Sequence, residues 1–418
     1  VTPFRLHGPL LSPVSEIEFR FFLRGVVAVG GDGRIAYSGP EPDLPEYAAA
    51  LPRRESPGLL LPGFIDLHTH LPQYNARGRC GASLLEWLDR HIYPEEIRFA
   101  DASYAREVSK HFFRALAASG TTTAAVYCSA HAEAARTAFE EAERSRLRII
   151  LGRTLMDRNA PPELVETPAT SLREDEELIS HWHRRTERLW CAVTPRFAPS
   201  CSMELMRGAA RLAERHGCYV QTHVNESPAE IARARELFPE LGSYTEVYET
   251  AGLLGERTLL AHNIHATESE LDLCERTACA VVHCPEANLF LGSGRFPLKK
   301  YRNRTIRYGL GSDVGAGTTL FMPQIMRSMA WVQQENLHPF IPLYRATAGA
   351  AEALSLERNI GALDTGLCAD MIAMRCDLET GEDAELSAED AASAVVYRSQ
   401  PSDILAVWVA GEQVFSSA

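Results

Sequence analysis

The sequence is short of what several functional classes require. Lys and Arg number 42 against 55 Asp and Glu, a formal charge of -13. That balance argues against a nucleic-acid partner, whose grip depends on basic patches that release counterions. No run of 18 or more apolar residues is present, so no membrane-spanning helix is expected. The stretch Val1 to Leu10 has no basic segment followed by an apolar core and a small-residue cleavage site. No secretory signal is therefore read there, and a cytoplasmic protein is expected. The ten cysteines (Cys80, Cys128, Cys191, Cys201, Cys218, Cys274, Cys279, Cys284, Cys368, Cys376) form no CxxC pair and no tight cluster. They read as reduced thiols, many buried as small apolar residues, rather than as disulfides or a cysteine zinc site. There is no short-period repeat, no low-complexity tract and no P-loop, and Gly309-x-Gly311 lacks the spacing of a dinucleotide site. No nucleotide cofactor is expected, and a small-molecule substrate is.

What is present is length and rhythm. With 418 residues, 45% of them hydrophobic, the chain can build one large catalytic domain and a smaller one. Gly25-Val26-Val27-Ala28-Val29, a turn through Gly30-Gly31-Asp32-Gly33, and Ile35-Ala36-Tyr37 predict a β-hairpin. From about Gly58, short β-rich segments alternate with amphipathic helical stretches, which implies a parallel sheet. Eight strands are predicted to end near His70, Tyr127, Gly152, Pro195, His223, His262, His283 and Asp313, the number for a (β/α)8 barrel. Helices are predicted at Ala132 to Ser145, Met203 to His216, Pro228 to Leu237 and Glu268 to Thr277. Strand texture returns in Asp370 to Met374 and in Ile404 to Gly411. The expectation is an α/β protein: a TIM-like (β/α)8 barrel over 58–362, flanked by a small β-sandwich domain built from both chain ends, 1–57 and 363–418. The acidic stretch Glu379 to Asp390 is expected to be a solvated loop.

The candidate chemistry sits at strand ends, the face of a barrel that holds the active site. His68-Thr69-His70 places two imidazoles on one face of a strand, because residues i and i+2 point the same way. His223 and His262 each end an apolar strand, and Asp313 follows Gly309-Leu310-Gly311-Ser312. Each has an ordinary reading alone: an incidental surface pair, a hydrogen-bonded core or rim His, a turn or capping Asp. All five at strand ends of one barrel is a coincidence those readings do not explain. A divalent metal, zinc or else iron, held by His68, His70, His223 and Asp313 with a position left open for water does explain it; the metal would lower that water's pKa to about 7. Glu226, three residues after His223, is placed to shuttle protons, against the plain alternative of an acid at a helix start before Pro228. His262 either binds the metal or orients the attacking hydroxide.

The series His68, His70, His223, His262 and Asp313 resembles the amidohydrolase superfamily. The closer similarity is to its guanine deaminase branch, carried by Pro62 to Tyr74, Leu84-Leu85-Glu86-Trp87-Leu88, Tyr93-Pro94-Glu95-Glu96 and Thr194-Pro195-Arg196-Phe197. His223-Val224-Asn225-Glu226, His283-Cys284-Pro285 with Asn288-Leu289, and Gly311-Ser312-Asp313-Val314 extend it, so that it runs from about Pro62 to Gly366. The resemblance implies that Gln73, Arg196 and Phe197 hold a purine by its polar edge and its face; without it they read as a surface Gln, a salt-bridged Arg and a core Phe. It implies a homodimer, and a single metal, because Cys191 to Pro195 lacks the lysine that bridges two metals in other members. The reaction implied is hydrolytic deamination of guanine to xanthine and ammonia. Asp313 and His262 would accept or orient the proton of water, and Glu226 would protonate the ring nitrogen. The chain departs from the family at Asn263 and at Glu286, where a carboxylate beside the pocket would change the substrate. Deaminases of 8-oxoguanine, pterin or adenosine-type substrates, triazine hydrolases, and an inactive barrel serving as a scaffold are the rival readings.

Overall fold

The computed structural model describes residues 1–80, 83–333, 335–376 and 386–417. In chain order the strands are β1 (Phe4–Ser15), β2 (Glu18–Val29), β3 (Ile35–Pro40), β4 (Arg53–Glu55) and β5 (Leu59–Pro62), followed by β6 (Phe64–His70), β7 (Thr121–Cys128) and β8 (Arg148–Leu155). Next come β9 (Leu189–Pro195), β10 (Tyr219–Val224), β11 (Thr258–His262), β12 (Ala280–His283) and β13 (Tyr308–Leu310). The last are β14 (Met371–Met374), β15 (Ile404–Val409) and β16 (Glu412–Ser416).

The chain divides into two compact units, one of 1–66, 114–123 and 321–418, the other of 67–113 and 124–320. In the first, both chain ends meet in one mixed sheet of order β16-β15-β14-β5-β1-β2-β3, with β4 beside β1. The expected hairpin is there, with Val26 opposite Gly39 and Ala28 opposite Tyr37. Alternate residues of its strands face a core containing Leu6, Val27, Val29, Leu60, Met371 and Trp408, the period-2 pattern that buries one face of a strand.

The second sheet is parallel, in the unbroken order β6 to β13, with amphipathic helices between strands. The four helices read from sequence occur at Ala132–Ser145, Met203–His216, Pro228–Leu237 and Glu268–Thr277. Local chemistry sets their starts: Ser202 caps one, and Ser227 and Thr267 form capping boxes with Glu230 and Glu270. Two strand ends differ from the sequence reading. β8 runs through Gly152 to Leu155, since Gly152 is a point of close approach rather than a turn: a Cβ there would lie 1.9 Å from Thr194 Oγ1. β13 stops at Leu310, and Asp313 lies beyond it with φ of 48°. The sheet closes there through the backbone, Asp313 N donating to His68 O (2.7 Å) and His70 N to Val314 O (2.9 Å). Gly311 permits this approach, since a Cβ would meet His68 Cβ at 2.8 Å.

Of the acidic stretch, residues 379–385 lie outside the described residues. Its end is not loop: Ser387 caps a helix, Ala388–Ser393, with Asp390 completing the capping box. Among the described residues no disulfide joins the ten cysteines, and seven of them are buried. Among the described residues no helix is long and apolar enough to cross a membrane.

Candidate functional site

β6 delivers His68 and His70 to one point at the barrel's C-terminal face, β10 delivers His223, and the turn after β13 delivers Asp313. The Nε2 atoms of His68 and His70 are 3.1 Å apart, and those of His70 and His223 3.2 Å. Asp313 Oδ1 lies 3.2 Å from the first and 3.3 Å from the second. A tetrahedral ion with N and O ligands at about 2.0–2.1 Å has edges of about 3.3 Å, so these separations match one coordination sphere. The ligand atoms of the four residues all lie within 4.8 Å of one another.

Electrostatics favour the ligating forms. Burial pushes His70 down to about 4, against the pull of Asp313, and burial with the neighbouring rings pushes His223 well below its usual range. Both are thus neutral imidazoles with a lone pair to offer. Burial opposes the Asp313 charge, but His68, His70 and His262 outweigh it and hold the carboxyl well below the usual range. His223 Nδ1 donates to Arg196 O at 2.7 Å, which leaves the Nε2 lone pair facing the cluster, as an orienting partner does for a ligating His.

Glu226 and His262 stand beside this group. His262 Nε2 is 3.4 Å from Glu226 Oε2 and 3.8 Å from Asp313 Oδ2. Asn288 Nδ2 lies 3.0 Å from His262 Nδ1; with that amide donating, the His262 proton sits on Nε2 and points at the two carboxylates. Burial, then the charges of Asp313 and Glu230, push the Glu226 carboxyl well up, while Ser293 Oγ donates to its Oε1 at 3.0 Å. Asn225, His262, Asn263 and Asp313 all take left-handed φ between 48° and 70°. Such backbone costs about 1–3 kcal/mol per residue and persists where the surrounding structure over-determines it.

These groups open into a cleft. Leu84, Trp87, Leu88, Phe197 and Leu291 form its apolar walls, and Gln73 and Arg196 join His70, His223, Glu226, His262 and Asp313 in its polar lining, with His68 beside them. Every residue singled out from sequence is thus in one place: His68, His70, His223, Glu226, His262, Asp313, Gln73, Arg196 and Phe197. The two departures are not. Glu286, expected beside the pocket, stands in the first turn of the helix Pro285–Phe290, accepts from Thr318 Oγ1 at 2.6 Å and does not line the cleft. Asn263 accepts from Asn225 Nδ2 at 3.0 Å in a pair behind the strand ends.

The sequence reading gave no role to three residues. Glu96 accepts from Arg196 Nη1 (2.6 Å) and Gln73 Nε2 (3.1 Å). Glu230 accepts from the backbone N of Glu226 (2.9 Å) and Ser227 (3.2 Å) and from Tyr244 Oη (2.7 Å), so it shapes the turn that presents Glu226. The third is Ser293. Only Glu230 carried a local signal, the Ser-x-x-Glu spacing of a capping box.

The amidohydrolase family model matches residues 59–414. The guanine deaminase of Escherichia coli is 41% identical over 320 residues, 76% of this chain and 73% of that protein. The probable guanine deaminase of Deinococcus radiodurans is 38% identical over 427 aligned residues, covering 98% of this chain and 97% of that one. Among solved structures, the guanine deaminase of C. acetobutylicum with guanine bound in its active site superposes with a TM-score of 0.91 at 30% identity, over 99% of this chain and 100% of that one.

Proposed function

This chain belongs to the amidohydrolase family, and on that footing we propose that it removes the amino group of guanine by hydrolysis, giving xanthine and ammonia. The observation that carries the reading is the convergence of the metal-ligand group, Glu226 and His262 with Gln73, Arg196 and Phe197 in one cleft.

His68, His70, His223 and Asp313 hold one divalent cation, which supplies Lewis acidity toward a water molecule. Three imidazole nitrogens and a carboxylate oxygen suit zinc, with iron the alternative. Asp313 Oδ1 faces the ligand group, while Oδ2 faces His262 and is available to take a proton from water. His262 orients that water through Nε2–H. Arg196 and Gln73 take the polar edge of the base and Phe197 its face. Glu226 gives a proton to the ring nitrogen beside the amino-bearing carbon, and a proton then passes to the departing amine. Oxygen from water replaces nitrogen on that carbon, and no bond to the protein forms. Trp87, Leu88 and Leu291 keep bulk water from the reacting centre. The same proposal takes the protein as cytoplasmic and, following the family resemblance, as a homodimer.

Ammonia release by metal-loaded protein on guanine, 8-oxoguanine, pterin, adenine, adenosine, cytosine and melamine tests this, with Glu226→Gln as the blank. Turnover selective for guanine and lost in the blank is expected. Turnover of another base with guanine inert would overturn the substrate while leaving the metal chemistry standing, and a protein that binds no stoichiometric metal would overturn both.

A further inference from the structure

We propose that Glu96 is a positioning residue that sets substrate specificity: its one carboxylate fixes both side chains that read the polar edge of the base. The proposal rests on the guanine reading above. Glu96 stands on the short helix Tyr93–Ile97 and is buried, as are Gln73 and Arg196. Its Oε1 accepts from Gln73 Nε2 at 3.1 Å and its Oε2 from Arg196 Nη1 at 2.6 Å.

A free carboxamide presents either end to a ligand, because a half-turn exchanges donor and acceptor. Glu96 removes that freedom. An ionised carboxylate only accepts, so the Gln73 nitrogen must face it, and the Gln73 oxygen turns to where Gly315 N donates at 3.3 Å. That oxygen keeps a second lone pair, and Arg196 keeps donors beyond the one given to Glu96. The pair thus presents an acceptor beside a donor, the complement of a ring N–H beside a C=O. A ring nitrogen beside an NH2 group offers the reverse order and would leave buried polar groups unpaired, the situation in which a hydrogen-bonding site discriminates most strongly. Glu96 also neutralises a guanidinium that would otherwise be buried without a counter-charge.

Guanine and 2,6-diaminopurine make the test. They share the amino group to be removed and differ in whether the neighbouring edge is a lactam or an amidine. Steady-state kinetics of metal-loaded wild type, Glu96→Gln and Glu96→Asp are compared on both bases. In Glu96→Gln a donor is available at position 96, so Gln73 is free to turn. The guanine kcat/KM should then fall about 10- to 100-fold, the loss typical of one hydrogen bond to a charged group. The fall should lie mainly in KM, the guanine to diaminopurine ratio should shrink about 10-fold, and Glu96→Asp should recover part of that ratio. A ratio unchanged in Glu96→Gln, with both bases slowed alike, would overturn the proposal. Should Glu96→Gln fail to fold, Gln73→Met removes the amide and leaves the Glu96–Arg196 pair intact; the same shrinkage is expected and an unchanged ratio overturns the proposal again. Wild type inert on guanine would instead overturn the substrate reading, and this proposal with it.

Discussion

Ser293→Ala tests how the Glu226 proton is placed. The Ser293 hydroxyl donates to Glu226 Oε1 at 3.0 Å, which makes Oε1 an acceptor and assigns the acidic proton to Oε2, the oxygen 3.4 Å from His262 Nε2. The serine is itself held, its N donating to Asn288 O (2.9 Å) and its O accepting from His265 Nε2 (2.7 Å). Without the hydroxyl, the two Glu226 oxygens compete for the proton and the carboxyl is free to turn. A hydrogen bond between neutral groups contributes about 0.5–1.5 kcal/mol, so kcat should fall about 2- to 13-fold. KM should change less than about threefold, because other residues read the base. The assay is steady-state ammonia release at saturating metal, with Ser293→Thr alongside because it keeps the hydroxyl. A Ser293→Ala kcat within about twofold of wild type would refute the reasoning, as would a Thr variant no better than the Ala one.

Metal removal and buried charge give two further tests. A cation bound only by the folded protein stabilises it by about 2.7 kcal/mol at 100 times its Kd. For a chain of 418 residues that is a rise in Tm of about 3 °C, so chelation should lower Tm by that much and added zinc should restore it; His223→Ala should abolish the response. Asp175 lies 3.8 Å from Arg153 Nε, but that guanidinium makes closer contacts with Glu166 (2.9 Å) and the carbonyls of Ala130 and Ser171. Burial therefore dominates and pushes the Asp175 carboxyl up to about 7. A raised acid favours folding while protonated, so its contribution is full below about pH 4 and is lost as pH climbs to about 7, at most about 4 kcal/mol. Urea denaturation of Asp175→Asn across pH 4 to 8 should show a flatter profile and a variant gaining on wild type above pH 7; parallel profiles would refute the assignment.

The barrel was legible because its signals are local. Apolar runs alternating with amphipathic ones report the strands and helices one by one, and three of the four helices named from periodicity begin at side-chain caps, Ser202, Ser227 and Thr267. The group of His68, His70, His223 and Asp313, which could hold a metal, was legible because the three histidines fall in the last residues of strands and Asp313 just after one, where barrel geometry gathers them. Glu96 and Ser293 were not, since each acts on a partner distant in sequence, 100 residues from Arg196 in one case and 67 from Glu226 in the other. No pattern along the chain encodes such a pairing. Gly152 misled for a related reason: glycine marks a turn or a close approach, and only the Thr194 side chain across the sheet tells which. Glu286 stands next to the motif in sequence, yet its carboxylate accepts from Thr318 and is absent from the cleft lining.

The backbone bonds from Asp313 to His68 and from His70 to Val314 have a meaning for biosynthesis. The first two imidazoles leave the ribosome early and the carboxylate much later, so an unfinished chain holds an incomplete donor set whatever its other strands have done. The donor set of His68, His70, His223 and Asp313 is therefore complete only once the turn after β13 has been made, and a chain ending before Asp313 lacks one of the four donors.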